Sequence, residues 1–99
     1  MKVVANSTDE RYRRIVESLS ALEPLEIELR DDSARHAVHA GAAGGAGHFA
    51  VRLVCAQFFG LNRIQRHRLV YAALRDLIPA QIHALNIEAI APEETAPSN

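Results

Sequence analysis

The clearest indication of the fold class is residues 62–90, NRIQRHRLVYAALRDLIPAQIHALNIEAI, which predict a helix directly before a strand. Asn62 belongs to the residue types that cap helices, since its side chain can accept hydrogen bonds from free backbone amides. The apolar face of this helix is predicted from residues at helical spacing, Ile64, Tyr71, Leu74 and Ile78. Pro79 stops the helix. The segment 82–90 alternates like a strand and carries on one side His83, Leu85, Ile87 and Ala89.

The preceding sequence predicts a helix followed by two strands. Ser7 and Glu10 have the spacing of a capping box, in which each side chain satisfies the backbone amide of the other. The apolar residues of this helix share one face and are Tyr12, Ile15, Val16, Leu19 and Leu22. Pro24 ends the helix. Two alternating segments follow at 25–29 and 48–55, and their inward residues are predicted as Leu25, Ile27, Leu29, Phe49, Val51, Leu53 and Cys55.

The order of the predicted elements indicates the fold class. Residues 30–47 form a long connection rich in Gly and Ala, and an antiparallel hairpin is the simplest pairing of the strands on either side. A turn or short helix at 58–60 leads into the second long helix. The order α, β, β, turn, α, β predicts a two-layer α+β sandwich with a three-stranded sheet. We expect one domain, 1–91, and a disordered polar tail, 92–99.

Composition excludes several classes of protein. Eleven Lys and Arg against twelve Asp and Glu give a net charge of −1, which excludes the uniformly positive field of a polybasic nucleic-acid binder. One cysteine cannot form an intramolecular disulfide, a Cys-x-x-Cys redox motif or a thiolate metal cage, and such a composition is typical of a reducing compartment. The sequence shows no apolar signal region and no membrane-spanning run. We therefore expect a soluble, cytoplasmic protein.

Two patterns that superficially suggest an enzyme do not meet its requirements. The glycines between 41 and 47 are not followed by Lys-Ser or Lys-Thr, so they do not form a phosphate-binding loop. The residue types of a hydrolase triad occur together in Ser33, His36 and either Asp31 or Asp32, but no Gly-x-Ser-x-Gly elbow presents the serine. Neither pattern predicts catalysis.

The second long helix carries a basic cluster of Arg63, Arg66 and Arg68. Such a cluster could follow phosphates on a nucleic acid. A solvated face or a protein-docking surface is favoured, because the net charge is near zero and no aromatic residues are interleaved to stack bases. His67, one helical turn from two apolar residues, is predicted to be a partly buried structural histidine.

The remaining histidines and the cysteine divide by position. Cys55 shares the inward side of its strand and is predicted to be a small core residue, whereas His48 is predicted to be exposed at the strand start. His36 and His39 lie on the long connection, and His83 opens the last strand. Neutral imidazole is the commonest metal ligand, so histidines from two segments supply half of a metal site. A purely packing role and a mononuclear zinc or iron site both remain open.

Several stretches resemble the BolA family. They are LEIELRDDSARHAVHAG at 25–41, HFAVRLV at 48–54, FFG at 58–60, RHRLVYAAL at 66–74 and IHALNI at 82–87. The resemblance implies an α-β-β-α-α-β fold similar to class II KH domains. It also implies a non-enzymatic role in iron–sulfur and iron homeostasis, through heterodimers with monothiol glutaredoxins.

The same resemblance implies a [2Fe–2S] cluster shared with the glutaredoxin and glutathione. The family ligands correspond to His83 and to His36, with His39 in reserve, and Phe59 stands where the family commonly has an acidic residue. One core-facing cysteine cannot hold a cluster, so thiolates must come from the partner. Because protonation competes with imidazole ligation, we expect the cluster to be lost as pH falls. The alternative is a DNA-binding transcriptional regulator that uses the basic cluster, and homodimerisation stays open.

Overall fold

A computed structural model of the chain describes residues 1–6, 10–32, 47–80 and 82–95. Its helices and strands in chain order are β1 (Lys2–Ala5), α1 (Glu10–Leu19), β2 (Glu26–Asp31), β3 (Gly47–Val54), α2 (Arg63–Leu74) and β4 (Ile82–Ile90). Short 3₁₀ helices occupy Ser20–Leu22, Ala56–Phe58, Arg75–Leu77 and Pro92–Glu94. The predicted α+β class is confirmed. Among the described residues, every helix is too short or too polar to cross a membrane.

Within the described ranges the sheet has four strands in the order β1-β2-β3-β4. β2 pairs antiparallel with β3 as predicted, while β1 runs parallel to β2 and β4 runs parallel to β3. The prediction of three strands is therefore wrong. The segment 2–5 is short and its apolar and polar residues do not alternate, so the sequence did not indicate a strand. Its strand conformation depends on pairing with the neighbouring chain segment, where Lys2 N donates to Leu25 O at 2.9 Å. The similarity to class II KH domains stays a prediction.

Both helices cover one face of this sheet. The strand residues buried on that face are Ile27, Leu29, Phe49, Val51, Leu53 and Ile87. The helix residues that pack against them are Tyr12, Ile15, Leu19, Val70 and Leu74. Tyr12 meets Phe49 edge to face, with ring centroids 5.8 Å apart. The predicted inward sides of α1 and β3 are confirmed, because apolar side chains at those spacings can all be removed from water together.

The predicted inward side is wrong for three residues. Leu25 is 57% exposed because it lies on a bend before β2 rather than inside the ladder. Ile64 and Tyr71 are also exposed, and α2 instead buries Val70 and Leu74. Since residues seven apart lie on the same side of a helix, Ile64 and Tyr71 form one outward stripe.

The ends of the predicted elements depend on local hydrogen bonds. Asn62 caps α2 as predicted: its Oδ1 accepts from Gln65 N at 2.8 Å, and Gln65 Oε1 accepts from Asn62 N at 2.9 Å. Ser7, the predicted cap of α1, lies outside the described residues. The disordered tail stays a prediction: Pro92–Glu94 form a short 3₁₀ helix, and the tail after residue 95 lies outside the described residues.

Candidate functional site

His83 lies at an irregular point of the ladder between β3 and β4. Ile82 pairs with Gly47 and Ala84 pairs with His48, so His83 is an extra residue on its strand. Such β-bulges interrupt regular pairing and are over-represented beside active sites. The backbone thus distinguishes the position of His83, although its side chain is outside the part of the chain that the structure describes.

The long connection predicted to carry two further histidines joins the sheet at this same end. β3 runs parallel to β4 and antiparallel to β2, so the end of β2 and the starts of β3 and β4 lie together. Asp32 N donates to His48 O at 2.6 Å and closes the base of the connection. His36 and His39 lie outside the described residues. His36 is four residues from Asp32, a length of chain that spans at most about 14 Å.

A shallow groove of about 210 Å³ opens at this end of the sheet. Its lining residues are Asp32, His48, Phe49, Ala84, Leu85 and Asn86. His48 is half-buried, so the prediction of an exposed residue is wrong; it lies inside the ladder between β2 and β4. The sequence pattern named Asp32 only in the rejected triad and did not name Asn86. Only the strand register could have placed them beside His48.

Cys55 is fully buried, as predicted, and its backbone N–H donates to Ile90 O at 3.0 Å. Burial raises the pKa of the Cys55 thiol to about 11, because a thiolate would lose its hydration. At neutral pH the thiol is therefore protonated and supplies no thiolate ligand. In the described part of the chain, no three His, Cys, Asp or Glu side chains are grouped to hold a metal ion.

Arg66 does not belong to the solvated basic cluster that the sequence predicts. Its guanidinium forms a bidentate pair with Glu94, at 2.7 and 2.9 Å. It also donates to Leu61 O at 2.9 Å and to Ala89 O at 3.0 Å, and it lies 6.0 Å from the ring centroid of Phe58. Only 13% of the side chain is exposed, so Arg66 holds the C-terminal turn rather than facing a ligand.

The other predicted basic residues, Arg63 and Arg68, are exposed on α2. His67 is partly buried, as predicted, and borders a groove of about 380 Å³ between α2 and β4. The outward stripe of Ile64 and Tyr71 lies on the same helix, and Phe59 is 67% exposed on the turn that precedes it. Together these residues give α2 an outer surface that is both basic and apolar.

The protein family described as BolA-like protein matches this chain over residues 19–94. SufE-like protein 1, chloroplastic/mitochondrial, of Arabidopsis thaliana is 42% identical over 85% of this chain and 24% of its own length. Protein BOLA1, chloroplastic, of the same plant is 39% identical over 92% of this chain and 59% of its length. BolA-like protein 1 of Bos taurus is 45% identical over 75% of this chain and 53% of its own length. The chain thus spans between about a quarter and three fifths of the length of these relatives.

Solved structures share the fold. The BolA domain of SufE1 from Arabidopsis thaliana superposes with a TM-score of 0.78 at 39% identity, covering 90% of this chain and all of that domain. BolA1 from the same plant gives a TM-score of 0.74 at 37% identity, with the same coverage. BolA1 from Mus musculus gives 0.71 at 37% identity, covering 87% of this chain and 68% of that protein.

Proposed function

The chain belongs to the BolA-like family, and on that premise we propose that it is a non-enzymatic adaptor which binds a monothiol glutaredoxin and co-ligates a shared [2Fe–2S] cluster. The cluster is cargo in iron–sulfur trafficking and iron homeostasis. Relatives named BolA-like and SufE-like are consistent with an iron–sulfur role. The expected cytoplasmic location stays a prediction, since two plant relatives are named for chloroplasts or mitochondria.

The observation that carries this proposal is the bulge at His83. It lies at the end of the sheet where residues 33–46 leave β2 and return to β3. The proposed ligands come from two distant parts of the sequence, but the backbone segments that carry them meet at this one end of the sheet. We assign His83 and His36 as the ligands from this chain, with His39 in reserve.

The donors available on this chain require a partner. Its one cysteine is buried, with its pKa raised to about 11, so the thiolates are supplied by the glutaredoxin and by glutathione. Imidazole ligands in place of thiolates lower the negative charge on an iron–sulfur cluster and raise its reduction potential. The contribution of this chain is neutral nitrogen ligands and the surface that positions the partner.

The outer surface of α2 fits the docking part of this role. Phe59, Ile64 and Tyr71 are exposed apolar side chains, and Arg68 lies on the same side of the helix as Ile64 and Tyr71. Burying these side chains against a partner removes apolar surface from water. Aromatic residues and arginine are also the types enriched at protein interfaces.

The test is cluster assembly from the mixed proteins. The protein, a monothiol glutaredoxin, glutathione, iron and sulfide are combined, and visible absorption and circular dichroism are recorded. We expect a spectrum distinct from that of the glutaredoxin alone, and its loss in His83→Ala. His36→Ala and His39→Ala identify the second ligand. We expect the cluster signal to fall as pH is lowered through the range in which free imidazole titrates, near about 6.5.

Glu17→Ala is the control, because Glu17 is an exposed residue of α1 that belongs neither to the His83 end of the sheet nor to the outer surface of α2. It should leave the spectrum of the mixture unchanged. A mixture whose spectra do not respond to this protein, or to His83→Ala, contradicts co-ligation. Metal analysis of the protein purified alone separates this role from that of a mononuclear zinc or iron carrier.

The DNA-binding alternative is weakened by the contacts of Arg66. Its Nη1 and Nη2 atoms pair with Glu94, and Nε and Nη1 also donate to main-chain carbonyls. A phosphate would have to displace these bonds. Of the three arginines in the predicted basic cluster, Arg63 and Arg68 remain exposed for such a role, on a chain with a net charge of −1.

A further inference from the structure

The edge of the sheet formed by β1 is apolar and exposed. Seven large apolar side chains are exposed among the described residues, and four of them lie at this edge: Met1, Val3, Val4 and Leu25. A sheet edge is a template for pairing with another strand, and proteins usually protect it with charge, proline, a bulge or a cover. The four residues of β1 contain none of these devices beyond Lys2 at one end.

The backbone of β1 shows which groups are directed outward. Lys2 N donates to Leu25 O, so the N–H of Lys2 points toward β2. Because successive residues of a strand direct their backbone groups to opposite sides, the N–H and C=O of Val3 point away from the sheet. The same alternation directs the backbone groups of Ala5 outward.

We propose that two copies of this chain pair antiparallel through β1, about a two-fold axis at Val3. Val3 then lies opposite the partner's Val3, and each pair exchanges two backbone hydrogen bonds. Met1 lies opposite the partner's Ala5 in the same pairing. Because the axis is two-fold, the same short strand pairs with itself and the assembly closes at two copies.

Charge favours this register. Lys2 lies opposite the partner's Val4, and the next residue across that row is the partner's Glu28, because Val4 pairs with Glu28. On its own side Lys2 pairs with Glu26. Lys2 therefore has its own Glu26 as a direct neighbour and shares a row with the partner's Glu28, one strand further across. A pairing centred on Val4 would instead move Lys2 opposite the partner's Asn6, away from the partner's Glu28.

The interface is small. A strand of four residues with its flanking side chains buries less than the roughly 1,200–2,000 Å² of a standard stable interface. We therefore expect a dimer that forms at high protein concentration and dissociates on dilution. This association does not depend on the proposed function, since the α2 surface and the His83 end of the sheet are not part of it.

The first test is sedimentation equilibrium of the chain over a range of concentrations, comparing the wild type with Val3→Pro. Proline at this position removes the outward N–H, while the bond from Lys2 to Leu25 is retained. We expect the association constant to fall at least about tenfold, which corresponds to about 1.4 kcal/mol. Ile64→Ser, which removes an exposed apolar side chain from α2, is the matched control and should leave association unchanged.

The second test uses cysteine crosslinking and does not depend on the proline variant. Residues facing each other in a hydrogen-bonded antiparallel pair have Cα atoms about 5.5 Å apart, within the range of a disulfide. Val3→Cys should give a disulfide dimer under mild oxidation and Val4→Cys should not, while the buried Cys55 does not compete. A chain that stays monomeric at all concentrations, or that crosslinks through Val4→Cys rather than Val3→Cys, overturns the proposal.

Discussion

The two edge strands of the sheet, β1 and β4, differ in how their backbone is protected. At the C-terminal end of β4, Arg66 Nη1 donates to Ala89 O at 3.0 Å, and Glu94 Oε1 accepts from Ala91 N at 2.9 Å. The start of β4 has a bulge at His83. β1 has only four residues, all of them exposed.

Contacts between residues distant in the sequence cover one edge of the sheet and leave the other exposed. Arg66 and Glu94 are 28 positions apart in the sequence and form an ion pair. The same two side chains bond the backbone groups of Ala89 and Ala91 at the end of β4. The start of β4, beside the long connection, is left for the proposed cluster partner. Among the described residues nothing comparable covers the β1 edge, and a second copy of the chain is the proposed occupant there.

The largest expected effect is the loss of Phe58, whose ring lies under the Arg66 guanidinium at the β4 edge. Phe58 is fully buried, and Phe58→Ala should lower the free energy of unfolding by about 3–5 kcal/mol. Val3→Ala at the exposed β1 edge should cost about 0.5 kcal/mol or less. Urea denaturation measures both variants. Equal costs would show that the two edges do not differ in burial as the structure indicates.

The next effect is local. Arg66→Met removes the bonds to Leu61, Ala89 and Glu94, so the turn at 92–94 should open more often. Amide hydrogen exchange at Ala91, whose N–H donates to Glu94, should accelerate about tenfold or more. Arg68→Met, at an exposed position of the same helix, is the control. If both variants exchange at the same rate, Arg66 does not hold the turn.

The smallest expected effect is a change in stability that occurs only at acidic pH. The Arg66 guanidinium and the Ala91 N–H hold the pKa of Glu94 at about 2, below its ordinary value of 4.5. A carboxyl whose pKa is depressed on folding stabilises the native state above its unfolded pKa, and that contribution disappears as pH falls through about 2. The amide NMR signal of Ala91 should follow this titration. In Glu94→Gln the titration should be absent, and a midpoint near 4.5 in the wild type would refute the pairing.

Much of the fold could be predicted because it follows from local patterns. β4 spans Ile82–Ile90 as predicted, and the cap at Asn62 forms with the expected side chain. The inward residues of α1 and β3 also match the prediction. In these elements the chain has one amphipathic pattern, so only one face can be buried.

The prediction was wrong where a segment depends on distant partners. Residues 2–5 become a strand because β2 lies beside them and because Asn6 accepts hydrogen bonds from the Tyr12 hydroxyl and from Asp31 N. α2 carries apolar residues around its circumference, so spacing alone could not decide which side meets the sheet.

The candidate site divides in the same way. Residue type and motif indicate His83, His36 and His39 as candidate ligands, and these assignments stay predictions. Strand pairing reveals the bulge at His83, because register is a property of two strands and neither sequence contains it alone. The burial of Cys55 was predicted from parity, whereas its raised pKa depends on the surroundings that folding supplies.

The α+β class, the family and the shortage of thiolate ligands follow from the sequence, since periodicity, motifs and residue counts are local or additive properties. Three features depend on the folded chain: Arg66 holds the C-terminal turn, a fourth strand forms one sheet edge, and His83 lies at a bulge. Each of these depends on groups far apart in the chain meeting at hydrogen-bonding distance. Such meetings are set by packing the whole core, and no single segment specifies them.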